Sequence, residues 1–278
     1  MKSRAAAIKN IAWALAIVLC LLAVFVGLLF AAFTRNKGEQ FRGGVPLGTR
    51  TEAAEEKSDA IPAPVGDGSL ITLPETADAG EAFIDSLTFL CDSTMIGLRD
   101  FGILTRDGAP TTHVWTTPTG VLAVADMAES KIVFPNDGSI ITAANAAMIV
   151  QPHILVISLG NDGIANIDEV DFVRNYETLI RNLRSASPQT WIVCLPLTSV
   201  TIDYNGSEGL TPARCSQANT WIQNVCTTTG AVYCDALSAV QKDGVLLQEY
   251  SLDGRSLNPP GVEKVLAYLR THAVTDQS

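Results

Sequence analysis

The chain has 278 residues, of which 47% are hydrophobic, and its formal net charge is −10. That length and apolar content suffice for one or two domains with a sizeable core. Residues 51–278 hold 12 basic and 28 acidic residues, a balance of −16. So acidic a segment disfavours nucleic acid and anionic lipid as partners through its general electrostatic field.

An uncharged apolar stretch runs from Ile11 to Phe33, behind a basic tail of residues 1–10. Its 23 residues are enough to cross a hydrocarbon core about 30 Å thick, and they exceed the core of a signal peptide. We therefore predict an uncleaved transmembrane anchor. Basic residues flank both ends, so charge favours neither orientation strongly. A cytoplasmic N-terminus is expected because long C-terminal domains are translocated largely regardless of flanking charge. This makes the chain a single-pass membrane protein with an extracytoplasmic C-terminal domain.

Residues 34–80 are predicted to be a flexible linker. They contain Gly43-Gly44, Pro46, Pro62 and Pro64, and no apolar period of 2 or 3.6 persists through them. A flexible coil of this length has a root-mean-square span of about 40 Å. The linker would let residues 81–278, which we predict to be one domain, work at some distance from the bilayer.

Beyond residue 80, short apolar runs alternate with amphipathic stretches, a pattern typical of βαβ units. Predicted strands are Ser86–Leu90, Ile154–Leu159, Trp191–Leu195 and Ala231–Cys234, and predicted helices are Asp168–Ser185, Ala213–Thr228 and Gly261–His272. The predicted fold class is α/β, with a doubly wound, mainly parallel sheet flanked by helices in three layers, as in flavodoxin. Ligands of such sheets bind beyond the carboxyl ends of the strands. The loops after Leu90, Leu159 and Cys234 are therefore the places to look for chemistry.

The six cysteines do not form a dense disulfide pattern. Cys215 and Cys226 lie on one predicted helix, about 16 Å apart, so they cannot pair there. A bridge between Cys194 and Cys234 on neighbouring strands stays open. No CxxC pair, His/Cys cluster or glycine-rich phosphate loop is present, so no metal or cofactor is predicted.

A serine follows the first predicted strand, in the segment Cys91-Asp92-Ser93-Thr94. A serine at a strand end that opens a helix lies near backbone N–H groups and a positive helix terminus. That position suits a nucleophile whose attack creates an oxyanion. An Asp-Ser pair before a helix is also a common N-cap, so on this motif alone both interpretations stay open.

A second motif, Leu252-Asp253-Gly254-Arg255-Ser256-Leu257-Asn258, precedes the last predicted helix. With Asp92-Ser93, it resembles the SGNH (GDSL-type) ester hydrolases, particularly their bacterial, membrane-anchored cell-surface branch. Their first block reads Gly-Asp-Ser, and their last block reads Asp-Gly-Ile-His-Leu-Asn before a closing helix. The resemblance covers about residues 81–275 and implies an acylhydrolase or deacetylase fold.

The resemblance assigns roles to three residues of the catalytic triad. Ser93 corresponds to the nucleophile, and Asp253 corresponds to the acid that orients the histidine. Ser256, however, occupies the position of the histidine itself. A serine hydroxyl is a poor nucleophile until a base takes its proton, and a second serine cannot be that base.

The same resemblance points to an oxyanion hole. Gly120 is the best match for the glycine that lends a backbone donor. Aligned without a gap, Asp162 stands where the family has an asparagine donor, although a shift of one residue would place Asn161 there. An ionised Asp162 would present a negative acceptor where the oxyanion needs a donor.

Other residues offer few substitutes for the missing base. His113, near the second strand, and Asp253 itself are the two candidates, since His153 precedes a strand and His272 lies on the outer closing helix. Arg255 is expected to be exposed to solvent, with contact to an anionic ligand as the alternative.

The leading hypothesis is a membrane-tethered cell-surface protein, inactive or much weakened as an esterase, that binds an acylated glycan or cell-envelope polymer. One alternative is an active esterase or deacetylase that uses Ser93 with His113 or Asp253 as an unusual base. Another is a structural or interaction domain of an envelope complex. A cleft closed by Met95 would favour that last alternative, and an open groove over Ser93 would oppose it. The sequence indicates no oligomeric state.

Overall fold

The structure is a computed structural model that describes residues 69–110, 113–206 and 209–274. The predicted transmembrane anchor Ile11–Phe33, the basic tail before it and residues 34–68 of the predicted linker lie outside the described residues. Within the described ranges, no helix is both long and apolar enough to cross a membrane.

The described residues alternate between strands and helices along the chain. The strands are β1 (Ile71–Thr72), β2 (Leu87–Cys91), β3 (Thr105–Arg106), β4 (Ala109–Pro110), β5 (Val114–Trp115), β6 (Lys131–Val133), β7 (Ile140–Thr142), β8 (Ile154–Ser158), β9 (Trp191–Cys194), β10 (Val232–Tyr233), β11 (Gln241–Lys242) and β12 (Val245–Leu246). The α-helices are α1 (Gly80–Ser86), α2 (Gly97–Asp100), α3 (Ala143–Val150), α4 (Glu169–Ala186), α5 (Pro212–Thr229) and α6 (Pro259–Arg270). Short 3-10 helices cover Val124–Asp126, Ile164–Asn166, Ala236–Val240 and Gln248–Tyr250.

Six of these strands form one sheet in the order β1-β10-β9-β8-β2-β5, and every neighbouring pair is parallel. The predicted, mainly parallel sheet is confirmed. Its first edge strand, β1, falls inside the segment 34–80 that we predicted as linker. Two residues are too few to show a period in sequence, and β1 is held by backbone pairing of Ile71 to Val232 and of Thr72 to Tyr233.

Helices cover both faces of the sheet, which gives the predicted three layers. Successive strand residues point to opposite faces: Leu155 and Ile157 of β8 pack with α3, α4 and α5, whereas Ile154 and Val156 pack with α1, α2 and α6. A strand buried on both faces needs apolar residues at every position, which explains why β8 shows no polar alternation.

Local capping signals determine where the long helices begin and end. The side chains of Asp168, Thr211 and Asn258 each accept the N–H three residues on, at the start of α4, α5 and α6. Gly230 ends α5 in the left-handed conformation, with φ +70°. Helix α6 begins at Pro259, two residues before the predicted Gly261, because proline is tolerated in a first turn.

The cysteines of the described residues are all free and buried. A bridge between Cys194 and Cys234 is excluded by the sheet, although the two backbones are joined by a 3.0 Å hydrogen bond. The side chain of Cys194 packs on the α4 face of the sheet, and that of Cys234 packs on the α6 face. Both thiols therefore serve as small core side chains.

Strand order brings two loops together at the carboxyl edge of the sheet. Strand β2 lies between β8 and β5, and Leu90 is paired with Ile157 on one side and with Trp115 on the other. The loop that carries Ser93 therefore lies beside the loop that carries Asp162. The fold alone thus places two of the predicted site residues next to each other.

Candidate active site

The side chain of Asp92 links the loop after β2 to the loop after β8 through hydrogen bonds. It is fully buried, and one of its carboxylate oxygens accepts the backbone N–H groups of Gly160 and Asn161 at 3.0 and 2.9 Å. The other oxygen accepts the N–H and the hydroxyl of Thr94 at 3.1 and 2.7 Å. Four donors on a buried carboxylate fix the loop after β2 against the loop after β8, so the position of Ser93 depends on Asp92.

Burial and the nearby charge of Asp162 raise the pKa of Asp92 to about 6, while the hydrogen bonds from Thr94 act in the opposite direction. The folded pKa is above the ordinary value of 3.8. Asp92 therefore contributes stability that is fully present below about pH 4 and is lost as the pH rises through about 6.

We expect this loss to appear in unfolding measurements. The free energy of unfolding of the wild-type chain, relative to Asp92→Asn, should fall by about 3 kcal/mol between pH 4 and pH 7, since one pKa unit corresponds to about 1.4 kcal/mol. Urea unfolding of both chains across this range measures it, because the carboxylates that do not interact with Asp92 cancel in the difference. A difference that does not change with pH would contradict the raised pKa.

Asp162 lies against Ser93, and its carboxylate is 6% exposed. The Ser93 hydroxyl donates to one carboxylate oxygen at 2.6 Å. The other oxygen accepts the backbone N–H of Ser93 at 3.3 Å and that of Leu122 at 2.9 Å. Two backbone donors that converge beside a serine hydroxyl are the arrangement of an oxyanion hole. In this chain the carboxylate of Asp162 already accepts both of these N–H groups.

Arg255 completes a three-residue contact that the sequence analysis missed. Its Nη2 donates to the Ser93 hydroxyl at 2.7 Å and forms an ion pair with Asp162. Its side chain is 22% exposed, so the expectation of a solvent-exposed arginine is wrong. Burial lowers the pKa of Arg255, but the charge and the hydrogen bond of Asp162 outweigh this effect and raise it. Arg255 is thus a cation held by Asp162 rather than a free one.

The loop after β5 places the backbone donor at a different residue from the predicted one. The N–H of Gly120 donates to the carbonyl of Thr117 at 3.1 Å and closes a turn, so it is not directed at Ser93. Gly120 has φ +79°, and a Cβ there would lie 2.1 Å from Cδ1 of Ile96, which explains the glycine. Leu122 supplies the donor instead. No sequence signal could identify it, because Leu122 acts through its backbone.

The resemblance left either Asn161 or Asp162 as the residue that faces the serine. The Asn161 amide donates to the carbonyl of Thr198 at 2.6 Å, so its side chain is engaged away from Ser93. Asp162 faces Ser93, as the ungapped alignment places it.

Asp253 and Ser256 form a local turn in the last loop. One oxygen of Asp253 accepts the N–H groups of Arg255 and Ser256 at 3.0 and 2.7 Å. The other oxygen accepts the Ser256 hydroxyl at 3.2 Å. Within the described part of the chain, no hydrogen bond joins Asp253 or Ser256 to Ser93. Asp253 is thus hydrogen-bonded to the residue at the family's histidine position, but that residue is Ser256, which is not a base.

None of the three histidines lies at this site. His113 precedes β5 and, from the pairing of Phe89 with Val114, is level with Thr88. Three strand residues, or about 10 Å, separate that level from the end of β2 at Cys91, and Ser93 lies two residues further on, in the loop. The carbonyl of His153 accepts the N–H of Trp191 at the amino edge of the sheet. His272 stacks on Tyr268, with ring centroids 3.8 Å apart. The proposed role of His113 as base is therefore wrong.

An open groove of about 790 Å³ lies over Ser93. Its walls combine charged and amide side chains with a few small apolar ones. The lining residues are Ser93, Val121, Ala123, Asn161, Asp162, Gly163, Ala165, Asn166, Leu210, Asp253, Arg255 and Ser256. Among the described residues, no group of three His, Cys, Asp or Glu side chains is arranged to hold a metal ion.

A three-layer α/β sheet with a serine and an occupied oxyanion-hole arrangement at its carboxyl edge defines an ester-hydrolase type of scaffold. Residues 138–265 match the family model of the GDSL-like lipases and acylhydrolases, so the domain has a GDSL/SGNH-type hydrolase fold. The predicted resemblance to this family is confirmed. The matched range includes Asp162 and Asp253, and Ser93 lies outside it.

Solved structures with a similar fold have low sequence identity to this chain. A candidate platelet activating factor from Streptococcus pneumoniae is 16% identical, with 66% of this chain and 82% of that chain covered and a TM-score of 0.49. A candidate acylhydrolase from Bacteroides fragilis is 15% identical, with coverages of 71% and 88% and a TM-score of 0.47. A candidate GDSL-like lipase from Parabacteroides merdae is 12% identical, with coverages of 72% and 98% and a TM-score of 0.46. No curated protein matches the chain.

Proposed function

We propose that this chain is a membrane-tethered, extracytoplasmic protein whose SGNH-type domain binds an acylated glycan or cell-envelope polymer and is inactive or much weakened as an esterase. The observation that carries this proposal is the position of the Asp162 carboxylate. It accepts the two backbone N–H groups, of Ser93 and Leu122, that an esterase would need for its oxyanion.

The lack of a base supports the same conclusion. Ser256 stands at the family histidine position, and the three histidines of the chain lie elsewhere. Loss of a triad member lowers kcat by about 10⁴–10⁶ in serine proteases. Loss of one oxyanion-hole donor costs about a further 10²–10³. A chain with both defects is expected to release acyl groups at a negligible rate.

The groove supports a binding role. Its walls carry the hydroxyl of Ser256, the amide of Asn166 and the charges of Asp253 and Arg255, which are the donors and acceptors that sugar hydroxyls use. Met95 is buried in the core and does not fill the groove. An open groove argues against a purely structural domain. The apolar segment Ile11–Phe33 would hold this domain at the membrane.

Binding without turnover is the expected result when the full chain is titrated with an O-acetylated oligosaccharide in a calorimeter. The de-O-acetylated oligosaccharide is the reference ligand, and released acetate is measured in the same samples. Asn166→Ala should weaken binding about 3–10-fold through the loss of one hydrogen bond. Asn145→Ala, an exposed amide on α3 away from the groove, is the matched control. Steady release of acetate, or an affinity that Asn166→Ala leaves unchanged, would contradict the proposal.

A second candidate function, an unusual serine esterase, is favoured by one contact. The Ser93 hydroxyl donates to Asp162 at 2.6 Å, so Asp162, rather than His113 or Asp253, could take its proton. Arg255 would stabilise the resulting alkoxide. The backbone N–H groups of Ser93 and Leu122 would still have to release the Asp162 carboxylate before they could bind the oxyanion. Covalent labelling of Ser93 by a fluorophosphonate, absent in Ser93→Ala, would support this candidate over the first.

A further inference from the structure

The charges that line the groove over Ser93 do not balance. Three charged side chains lie along its walls, those of Asp162, Asp253 and Arg255. Asp162 and Arg255 form an ion pair, so their charges cancel and the carboxylate of Asp253 is left over. The groove therefore presents one net negative charge to a ligand.

The carboxylate of Asp253 has room for a further donor. Asp253 is exposed to solvent. One of its oxygens accepts the N–H groups of Arg255 and Ser256, whereas the other accepts only the Ser256 hydroxyl, at 3.2 Å. These donors are uncharged, and Asp253 is in none of the ion pairs of the described residues. A carboxylate oxygen has two lone pairs, so the second oxygen can accept one more hydrogen bond from the groove.

An anionic ligand finds no free cation in this groove. Among the described residues, Arg255 is the only Lys or Arg that lines it, and its guanidinium is already bound to Asp162 and to the Ser93 hydroxyl. The balance of −16 over residues 51–278 also repels anions and attracts cations. A ligand with a positive charge is therefore complementary to the groove.

The cation that a glycan carries on its own ring is the ammonium of an amino sugar. An ammonium has three donors and no acceptor, and with a carboxylate it forms a charge-assisted hydrogen bond. We propose that the groove selects glycans with unacetylated amino-sugar units, whose ammonium is bound by Asp253. Ser256 and Asn166, which line the same groove, would bind neighbouring sugar hydroxyls. This inference rests on the proposed glycan-binding function and adds the charge of the ligand to it.

Calorimetric titration of the full chain with the glucosamine tetramer and with the N-acetylglucosamine tetramer tests the proposal. At about pH 6 most of the ligand amines are protonated, and the glucosamine tetramer should bind about 3–10-fold more tightly through one charge-assisted hydrogen bond, weakened by solvent. Asp253→Asn should remove this preference, since the amide oxygen can still accept the N–H groups of the turn but has no charge.

Asp137→Asn is the matched control. Asp137 is also an exposed turn residue, which accepts the N–H of Ser139 at 2.8 Å, and it lies outside the groove. The substitution removes the same unit of negative charge from the chain, so the preference for the glucosamine tetramer should remain. Thermal unfolding checks that each variant folds. If Asp253→Asn does not, Asp253→Ser decides, because a serine can also accept the N–H groups of the turn.

Equal affinities of the wild-type chain for the two tetramers, or a preference that Asp253→Asn leaves unchanged, would overturn this inference. The proposed glycan-binding function would still stand in that case if the N-acetylglucosamine tetramer or the O-acetylated oligosaccharide binds. If none of the three oligosaccharides binds, both proposals fail.

Discussion

The double variant Asp162→Asn/Ser256→His is expected to hydrolyse p-nitrophenyl acetate at least about 100-fold faster than the wild-type chain, with Ser93 as nucleophile. It restores the two functions that the site lacks. A neutral amide at position 162 can turn its NH2 towards an oxyanion and no longer holds a negative charge on the N–H groups of Ser93 and Leu122. An imidazole at position 256 supplies the base.

The geometry of the last loop supports a working histidine at position 256. Asp253 already accepts the Ser256 hydroxyl at 3.2 Å, so an imidazole there would have a carboxylate to orient its ring. Positions 93 and 256 line the same groove. In the Asp162→Asn background, the guanidinium of Arg255 remains 2.7 Å from the Ser93 oxygen. It can stabilise negative charge that develops there.

Three controls separate the two repairs. Ser256→His alone should gain little, because the oxyanion donors remain occupied, and Asp162→Asn alone should gain little, because no base is present. The triple variant with Ser93→Ala should return to the rate of the wild-type chain. Rates are measured as initial nitrophenolate release by the full chain. A folded double variant that is no faster than the wild-type chain would show that the two repairs do not reconstitute the site.

The long helices and central strands were predictable because their signals are local. Helix α4 begins after Asp168 and α5 ends before Gly230, as capping predicts, and β8 begins at the predicted Ile154. Among the two-residue strands, β10 lies within the predicted Ala231–Cys234, but β1 was not predictable, since a period needs more residues than it has. Strand β1 exists only through its pairing with β10. Such elements depend on partners that are distant in sequence.

The candidate site shows the same limit. Ser93, Asp253 and Ser256 were found from motifs, because each motif is contiguous. Leu122 contributes only its backbone N–H, so its residue type gives no indication of this role in the sequence. Arg255 was expected to be exposed because charged side chains in loops usually are. Its partner, Asp162, lies 93 positions away along the chain, and only the sheet order brings the two loops together.

Removal of the Arg255 guanidinium is expected to destabilise the fold by about 2–3 kcal/mol, somewhat less than a fully buried pair would lose. Asp162 is 6% exposed, so Arg255→Met leaves a buried carboxylate without its cation. The 22% exposure of Arg255 lets water compensate part of this loss. Asp162→Asn should cost less, about 1 kcal/mol, because it removes the buried charge itself and leaves only Arg255, which is 22% exposed, without its partner.

A double-mutant cycle of Arg255→Met and Asp162→Asn then measures the coupling of the pair, which we expect to be about 2 kcal/mol in urea unfolding at pH 7. The exposed pair Arg174–Asp171, with side chains 64% and 46% exposed and atoms 2.6 Å apart, is the matched control. The same cycle there should give about 0.5 kcal/mol or less, because solvent screens it. Equal coupling in the two cycles would mean that Arg255 and Asp162 meet as a surface pair. The carboxylate would then be free to leave the backbone donors of Ser93 and Leu122, and the occupied oxyanion hole would no longer account for weak esterase activity.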